Sequence, residues 1–569
     1  MPRPLQFRLT AAGAAALACL PSLSLAQNAP LDPLPKPLPQ ATAVKGQRPK
    51  SNPTVLPPAA IKLDPSLQRL VAPASLALPT KSEQVGITSL RPLSLKEVEN
   101  LAEVNDPNLK AIASQVDQAQ SNLRSKLAQW YPTLGVAGNG FPNYTGGQQM
   151  QYNNDVNSTL LRPGQNLTST NRWAMTAALT AQWDVVNPQR VPEVSAARDS
   201  FEKAKNQYLI ALRELRLRAS QAYFQVQWGD EKVRVGQQSV GASLISLRDA
   251  KARFQAGVAT KLEVLQAETQ LGRDRYLLDD NLIFQDLARR DLARVLNFPQ
   301  NVSPTAKEPL KVLGLWKPSL QESIIAAFSF REELDNIILD ISASNSQANS
   351  ALAGVQPFVS LVNTLLATRF TGNEAIIVDL PGKYGYAVEN SIGLNFNWQL
   401  FDGGAARAQY RQYKQKSQEN EFVFARERNN LRFEVEESYA SLINANRNIS
   451  TTSKEVLTAR ESLRLARLRF AAGVTNQLEI QQTQRDLTQA ELRYVEALYN
   501  YNSGLASLRR RTGLDAIAEC RGVQLSAVRP ATGDTETVPI PPSPLVPSCS
   551  VAPGTSSAPS KPISPPNRS

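Results

Sequence analysis

The sequence predicts an α+β chain built from two similar halves, each of which combines long helices with alternating strands. The first observation is a repeated pattern: Arg253-Phe254-Gln255-Ala256-Gly257-Val258 returns 216 residues later as Arg469-Phe470-Ala471-Ala472-Gly473-Val474. Ten of 19 aligned positions are identical between residues 248–266 and 464–482, which is far above chance. The second observation is a span of 68 residues, 405–472, without glycine or proline. The third is a strict alternation of apolar and polar residues ahead of the long helices. Together they predict an internal duplication.

The chain divides into a signal segment, two repeats and two proline-rich ends. Residues 1–26 have the pattern of a secretory signal peptide, because Arg3 and Arg8 precede an apolar stretch and small residues precede Gln27. Residues 27–92 contain thirteen prolines and predict an extended or disordered arm, and residues 516–569 form a Pro- and Ser-rich tail. The first repeat is assigned to residues 93–300, a linker to residues 301–318 and the second repeat to residues 319–515.

The three cysteines carry little functional information. Cys19 lies inside the predicted signal peptide, in a context that disfavours lipidation. Cys520 and Cys549 remain after its removal, and an oxidising compartment would allow them to pair. Two unpaired thiols in the tail are the other interpretation.

The composition speaks against enzymatic chemistry. The chain has no histidine, no phosphate-binding glycine loop and no Cys or His metal constellation, so no catalytic residue, metal or cofactor is predicted. Its 62 basic residues against 50 acidic ones give a formal charge of +12. Because many of these charges alternate along helical segments, they indicate a solvated face, and nucleic-acid binding is not predicted.

The long helices carry a thin apolar seam with a period of seven residues. Its members are Leu442, Ile449, Val456, Leu463 and Phe470 in the second half, and Val226, Val233, Val240, Leu247 and Phe254 in the first. Such a seam predicts coiled-coil packing. Since the intervening positions are often polar, a hollow arrangement fits better than a solid bundle. Each long helix is predicted to end at Gly257 or Gly473, and the next helix to be capped by Thr260 or Asn476.

Two strands are predicted in each half. Alternation is clearest at residues 173–183 and 391–400, whose tryptophans Trp183 and Trp398 suit a membrane interface. A soluble sheet with one wet face would alternate in the same way. The partner strands follow helical stretches that Pro132 and Pro357 are predicted to end, and loops are predicted at residues 139–171 and 365–390. Four strands with open edges cannot stand alone in lipid, so copies must close a barrel of eight or twelve strands.

These features resemble the TolC family of outer-membrane efflux proteins. The resemblance covers about residues 93–515 and rests on the repeated tips and on the junction Trp398-Gln399-Leu400-Phe401-Asp402-Gly403-Gly404. It implies a homotrimer with a twelve-stranded outer-membrane β-barrel, four strands per protomer, continued by a long periplasmic α-helical coiled-coil barrel. It also implies outer-membrane lipid, a periplasmic adaptor and an inner-membrane pump as partners. The implied function is the exit duct of a tripartite efflux or type I secretion system that exports small molecules, proteins or both. A non-conducting periplasmic coiled-coil scaffold is the alternative.

The resemblance also implies the site residues. The periplasmic aperture is carried over onto Glu263, Glu479, Gln266, Gln482, Phe254, Phe470 and Thr475. Glu479 matches one of two family aspartates, and a ring of such carboxylates would attract cations. Phe470 and Thr475 stand where the family has a tyrosine and an arginine, so we expect coiled-coil packing, rather than the usual polar latch, to hold the closed mouth.

Adaptor contact is assigned to the exposed hairpin tips, whose small residues permit close approach. The tip residues are Gly257, Val258, Ala259, Thr260, Gly473, Val474, Thr475 and Asn476. An ordinary turn between two helices is the other interpretation of the same residues.

Overall fold

The computed structural model describes residues 65, 67–74, 76–150, 167–374, 384–514 and 517–518. The predicted signal peptide, most of the N-terminal arm, Cys19, Cys520 and Cys549 lie outside these residues. The helices and strands follow one another in this order: β1 Ser89–Leu93, α1 Leu95–Asn105, α2 Pro107–Ala128, β2 Thr133–Met150, β3 Leu167–Val186, α3 Arg190–Gln255, α4 Lys261–Val295, β4 Val302–Ala306, β5 Leu315–Trp316, α5 Leu320–Phe330, α6 Glu332–Ala353, β6 Phe358–Glu374, β7 Tyr384–Asn397, α7 Ala405–Ala471, α8 Gln477–Thr512 and β8 Ile517–Ala518.

The long helices match the sequence prediction closely. α3 has 66 residues and α7 has 67. At 1.5 Å per residue each extends over roughly 100 Å. α3 packs along α4, and α7 packs along α8, so each half is a long helical hairpin. No helix in the described part of the chain is both long and apolar enough to cross a membrane.

The predicted seven-residue seam is confirmed in α7 but only partly in α3. Leu442, Ile449, Val456 and Leu463 are buried, as predicted, and Phe470 at the end of the seam is half-buried. In α3 the seam holds at Val226 and Val233, and then the buried positions move to Ser239, Ser243 and Ala250. Val240 and Leu247 are half-buried and Phe254 is exposed. The shift is expected where a helix with 3.6 residues per turn departs from a strict heptad. It gives the first hairpin a polar interior near its tip.

The four membrane-type strands form one antiparallel sheet in the order β2-β3-β6-β7. The predicted loops were too long, because the strands continue through Met150, from Leu167, through Glu374 and from Tyr384. Polar and glycine-rich residues pair there in register, for example Gly146 with Asn171 and Thr371 with Tyr384. Composition indicated loops at these positions, but the backbone ladder needs only a partner strand.

The helical stretch before each strand pair is two helices rather than one. α1 ends at Asn105 and α2 begins at Pro107, because proline lacks the N–H that a continuous helix needs and suits the first turn of a new one. The Asp106 carboxylate caps α2 by accepting from the Leu109 N–H at 2.5 Å. The prolines predicted to end these stretches lie too late: α2 ends at Ala128, four residues before Pro132, and α6 ends at Ala353 before Pro357.

The packed fold begins before residue 93, in what was predicted as a free arm. β1 pairs in parallel with β4, which lies in the predicted linker. Leu67 and Leu70 are buried in the same core as α1 and α3. The buried Asn105 side chain donates to the Leu70 carbonyl at 2.8 Å and accepts from the Ala72 N–H at 2.9 Å. The end of the arm is therefore part of the folded body.

Candidate functional site: the paired hairpin tips

The two hairpin tips share one backbone geometry. In each, an N–H reaches back five residues to close the helix: Val258 donates to the Arg253 carbonyl at 3.0 Å and Val474 donates to the Arg469 carbonyl at 2.9 Å. Gly257 and Gly473 have φ values of 75° and 74°. Only glycine takes this left-handed conformation without strain, so the repeated glycine is explained by the turn itself.

The next helices are capped as predicted, and this explains the repeated glutamate. The Thr260 hydroxyl accepts from the Glu263 N–H, and the Glu263 carboxylate accepts from the Thr260 N–H at 3.3 Å. In the second half, the Asn476 side chain accepts from the Glu479 N–H at 3.3 Å. An acidic residue at the third helical position is favoured by such a cap and by the helix dipole. The charge repeats for a local structural reason.

Glu479 is engaged by two further groups. Arg469 donates to its carboxylate at 2.6 Å, and the Thr475 hydroxyl also donates to it. This hydrogen bond of Thr475 stays within the second hairpin and does not connect that hairpin to the first. Gln266 is half-buried and Gln482 is exposed.

Two contacts join the tip of the second hairpin to the first. The Arg253 guanidinium lies over the Phe470 ring, 4.2 Å from its centroid. The Gln477 side-chain amide donates to the Ser246 hydroxyl. Phe254, the equivalent of Phe470 in the first half, is 45% exposed and takes no part in this contact. The two halves of the duplication thus have different roles at the tip.

A groove of about 360 Å³ lies between the α3–α4 and α7–α8 hairpins beside these contacts. Its walls include Ser243, Asp249, Gln270, Arg467, Phe470 and Gln481. The Gln481 side chain is 7% exposed, and its amide nitrogen has no hydrogen-bond partner. Sequence reasoning did not single out Arg253, Arg467, Arg469 or Gln477. Arg253 and Arg469 were nevertheless visible as identical positions of the repeat.

The two tryptophans proposed for the membrane interface hold equivalent positions. The Trp183 indole donates to the Trp130 carbonyl at 3.1 Å, and the Trp398 indole donates to the Val355 carbonyl at 3.2 Å. Each bond joins the end of a second strand to the segment between helix and first strand. Both rings stay partly exposed, as an interfacial position requires.

Within the described ranges, no cluster of three or more acidic or cysteine side chains could hold a metal ion.

Long helical hairpins with matched tips, joined to a four-stranded antiparallel sheet, are the parts expected of an outer-membrane channel with a helical tunnel. The family model described as outer membrane efflux protein matches residues 98–297 and 327–514. The chain therefore belongs to the outer membrane efflux protein family. The predicted family, α+β channel fold and outer-membrane location are confirmed, and the family supports the efflux channel over the non-conducting scaffold.

Individual relatives agree with this assignment. The outer membrane protein TolC of Vibrio cholerae is 22% identical over 443 residues, which cover 74% of this chain and 90% of that protein. A membrane protein from Pseudomonas aeruginosa matches with a TM-score of 0.60 at 19% identity, over 78% of this chain and 98% of its own. CusC matches with a TM-score of 0.59 at 15% identity, over 77% of this chain and 95% of its own.

Proposed function

We propose that three copies of the chain form a continuous duct from the periplasm through the outer membrane, the exit of a tripartite efflux or type I secretion system. The observation that carries the proposal is the sheet with two open edges. β2 and β7 have no outer neighbour among the described strands of one protomer. An unpaired strand edge in lipid costs several kcal/mol for each unsatisfied backbone group. Pairing β2 of one copy with β7 of the next removes both edges and gives twelve strands in a trimer.

The face of the sheet supports the same arrangement. Large apolar side chains that share one face remain exposed in the protomer: Leu134, Val136, Ile392, Leu394 and Phe396. The opposite face carries residues such as Thr180, Gln182, Ser391 and Asn395. An apolar outer face with a polar inner face is the pattern of a membrane barrel that encloses water.

The helices also present surfaces that suit neighbouring copies. α4 leaves apolar side chains exposed along its length: Leu262, Leu265, Tyr276, Ile283 and Leu287. Exposed apolar surface of this extent favours a protein interface. Packing α4 against the next protomer would enclose the tunnel without a solid core.

The partners follow from the position of the tips. Residues Gly257 to Thr260 and Gly473 to Asn476 are exposed or half-exposed at the far end of both hairpins from the sheet. We assign them to the periplasmic adaptor, which would connect the duct to an inner-membrane pump. Glu263, Glu479, Gln266, Gln482, Phe254, Phe470 and Thr475 lie in the same region and are proposed to surround the aperture. Small molecules, proteins or both are the proposed cargo.

Planar-bilayer recording tests the duct directly. Purified trimers, added to one side, should insert and conduct in discrete steps of one size. The matched control is the same protein heated to dissociate the trimers, which should insert without steps. Intact trimers that associate with the bilayer and never conduct would contradict the proposal.

A further inference from the structure

The hairpin tips carry more basic than acidic residues. In the equivalent windows 250–266 and 466–482 the acids are Glu263 and Glu479, and the bases are Lys251, Arg253, Lys261, Arg467 and Arg469. Five bases against two acids leave a net charge of +3 per protomer. Widening each window by four residues at both ends adds three bases and three acids, so the excess is the same in the wider windows.

Both acids are already engaged. Glu479 pairs with Arg469 at 2.6 Å, and that ion pair is locally neutral. Glu263 is half-buried and bonded to Thr260 in its helix cap. Glu479 is therefore locally neutralised, while Glu263 keeps its charge with one carboxylate oxygen, Oε1, bonded in the helix cap.

Several bases are without such compensation. Lys251 pairs with Glu268, but Arg253, Lys261 and Arg467 make no ion pair within the described tips. Arg467 donates only to the neutral Gln484 side chain, at 3.2 Å. It lines the groove together with Gln481, whose buried amide nitrogen lacks an acceptor. Asp249 is the acidic residue of that groove, and no ion pair joins it to Arg467 in the part of the chain that the structure describes.

We propose that the periplasmic mouth attracts anions and that the duct therefore favours anionic solutes over cations. The proposal rests on the channel function above, and it reverses the sign expected from an acidic aperture ring. Three protomers, each with +3, would bring nine net positive charges to one rim. A wall one helix thick measures about 10–12 Å. Charges on its inner face thus lie within about one Debye length, ~8 Å at physiological salt, of ions that enter, and charges on its outer face lie within roughly 1.5 Debye lengths. Fixed charge of one sign at an opening enriches ions of the other sign.

Reversal potentials test the sign of this preference. Trimers in a planar bilayer are placed in a tenfold KCl gradient, in which ideal selectivity would give about 59 mV. The wild type should reverse on the chloride side of zero, and Lys261→Gln combined with Arg467→Gln should shift the potential toward the potassium side. Lys110→Gln with Arg124→Gln removes the same charge from exposed positions of α2, far from the tips, and should leave the potential unchanged.

A wild type that prefers potassium would overturn the proposal. So would an unchanged potential in the tip variant, or an equal shift in the α2 control, since charge at the mouth would then not set the preference. Trimer formation is checked for each variant by size before recording. The absence of any conductance from intact trimers is a different result, because it would overturn the channel function itself.

Discussion

Arg253 of the first repeat lies 4.2 Å from the ring centroid of Phe470 of the second, so a cation–π contact joins the two hairpins at their tips. Such contacts at exposed sites contribute about 0.5–1 kcal/mol. The residues are not equivalents in the duplication: each has its own counterpart in the other half, Arg469 and Phe254, and these make different contacts. The tip is held by an asymmetric pair within a symmetric repeat.

Removing this pair should ease opening of the mouth. We expect Phe470→Ala to raise the open probability in planar bilayers about two- to fivefold, as 0.5–1 kcal/mol implies. Arg253→Ala should act similarly, and the double variant should be no more open than either single one. Thr475→Ala is the control, because its hydroxyl bonds to Glu479 within one hairpin. An unchanged open probability in Phe470→Ala would refute the role of this contact.

The proposed adaptor docking should be sensitive to charge at the exposed tip. Val474 is 69% exposed and Val258 is 67% exposed, with no packing to lose. Val474→Glu should abolish export by cells that contain the matching adaptor and pump, while the free energy of unfolding changes by less than about 0.5 kcal/mol. Val474→Thr, which keeps the shape, should retain export. If Val474→Glu dissociates the trimer, the tip is structural and the assignment to the adaptor is wrong.

Acid should remove one defined part of the stability. Burial alone would raise the pKa of Glu333, but ion pairs with Arg331 at 2.7 Å and Arg510 at 2.9 Å outweigh it and lower the pKa to about 2. A depressed pKa stabilises the fold above the ordinary value of 4.5, and this contribution is lost as pH falls from 4.5 toward 2. A shift of this size corresponds to roughly 3 kcal/mol.

Glu333→Gln tests this contribution. The variant should be destabilised at pH 7 by about 3 kcal/mol. It should also lose less stability than the wild type between pH 5 and pH 3, because only the wild type has a carboxylate at position 333 whose stabilising contribution is lost on acidification. Glu461→Gln removes an exposed partner of Arg464 and serves as the control, with no measurable loss expected. Denaturant titrations at several pH values give both quantities. Parallel pH profiles for wild type and Glu333→Gln would contradict the prediction.

The end of the N-terminal arm should depend on one amide. Asn105→Ala leaves the Leu70 carbonyl and the Ala72 N–H without their partner. We expect a loss of about 1–3 kcal/mol and cleavage by added protease around residues 65–74. Asn122→Ala, at an exposed position of α2, is the control. Equal resistance of both variants to the protease would show that the leucines alone hold the arm.

The features that the sequence predicted are those with local causes. The long helices, the turn glycines, and the caps at Thr260 and Asn476 follow from propensity and short-range hydrogen bonds. The buried seam of α7 follows from its period. The features that were missed depend on distant partners: the pairing of β1 with β4 joins residues more than two hundred positions apart. A lone Asn105 in a helix gives no sign of the arm that it binds. At the site, the repeat marked the tip correctly, but it could not show that Arg469 neutralises Glu479.

The open edges of β2 and β7 have a consequence for mixtures of functional and defective copies. In the proposed trimer each ring needs all three junctions, so a protomer with one blocked edge prevents closure of any ring that contains it. If wild-type and blocked copies mix freely and equally, only about one ring in eight is free of blocked copies. The other rings fail because every strand edge must be paired in lipid. A variant with a proline inside β7 should therefore be dominant negative, suppressing the activity of the intact copies made beside it.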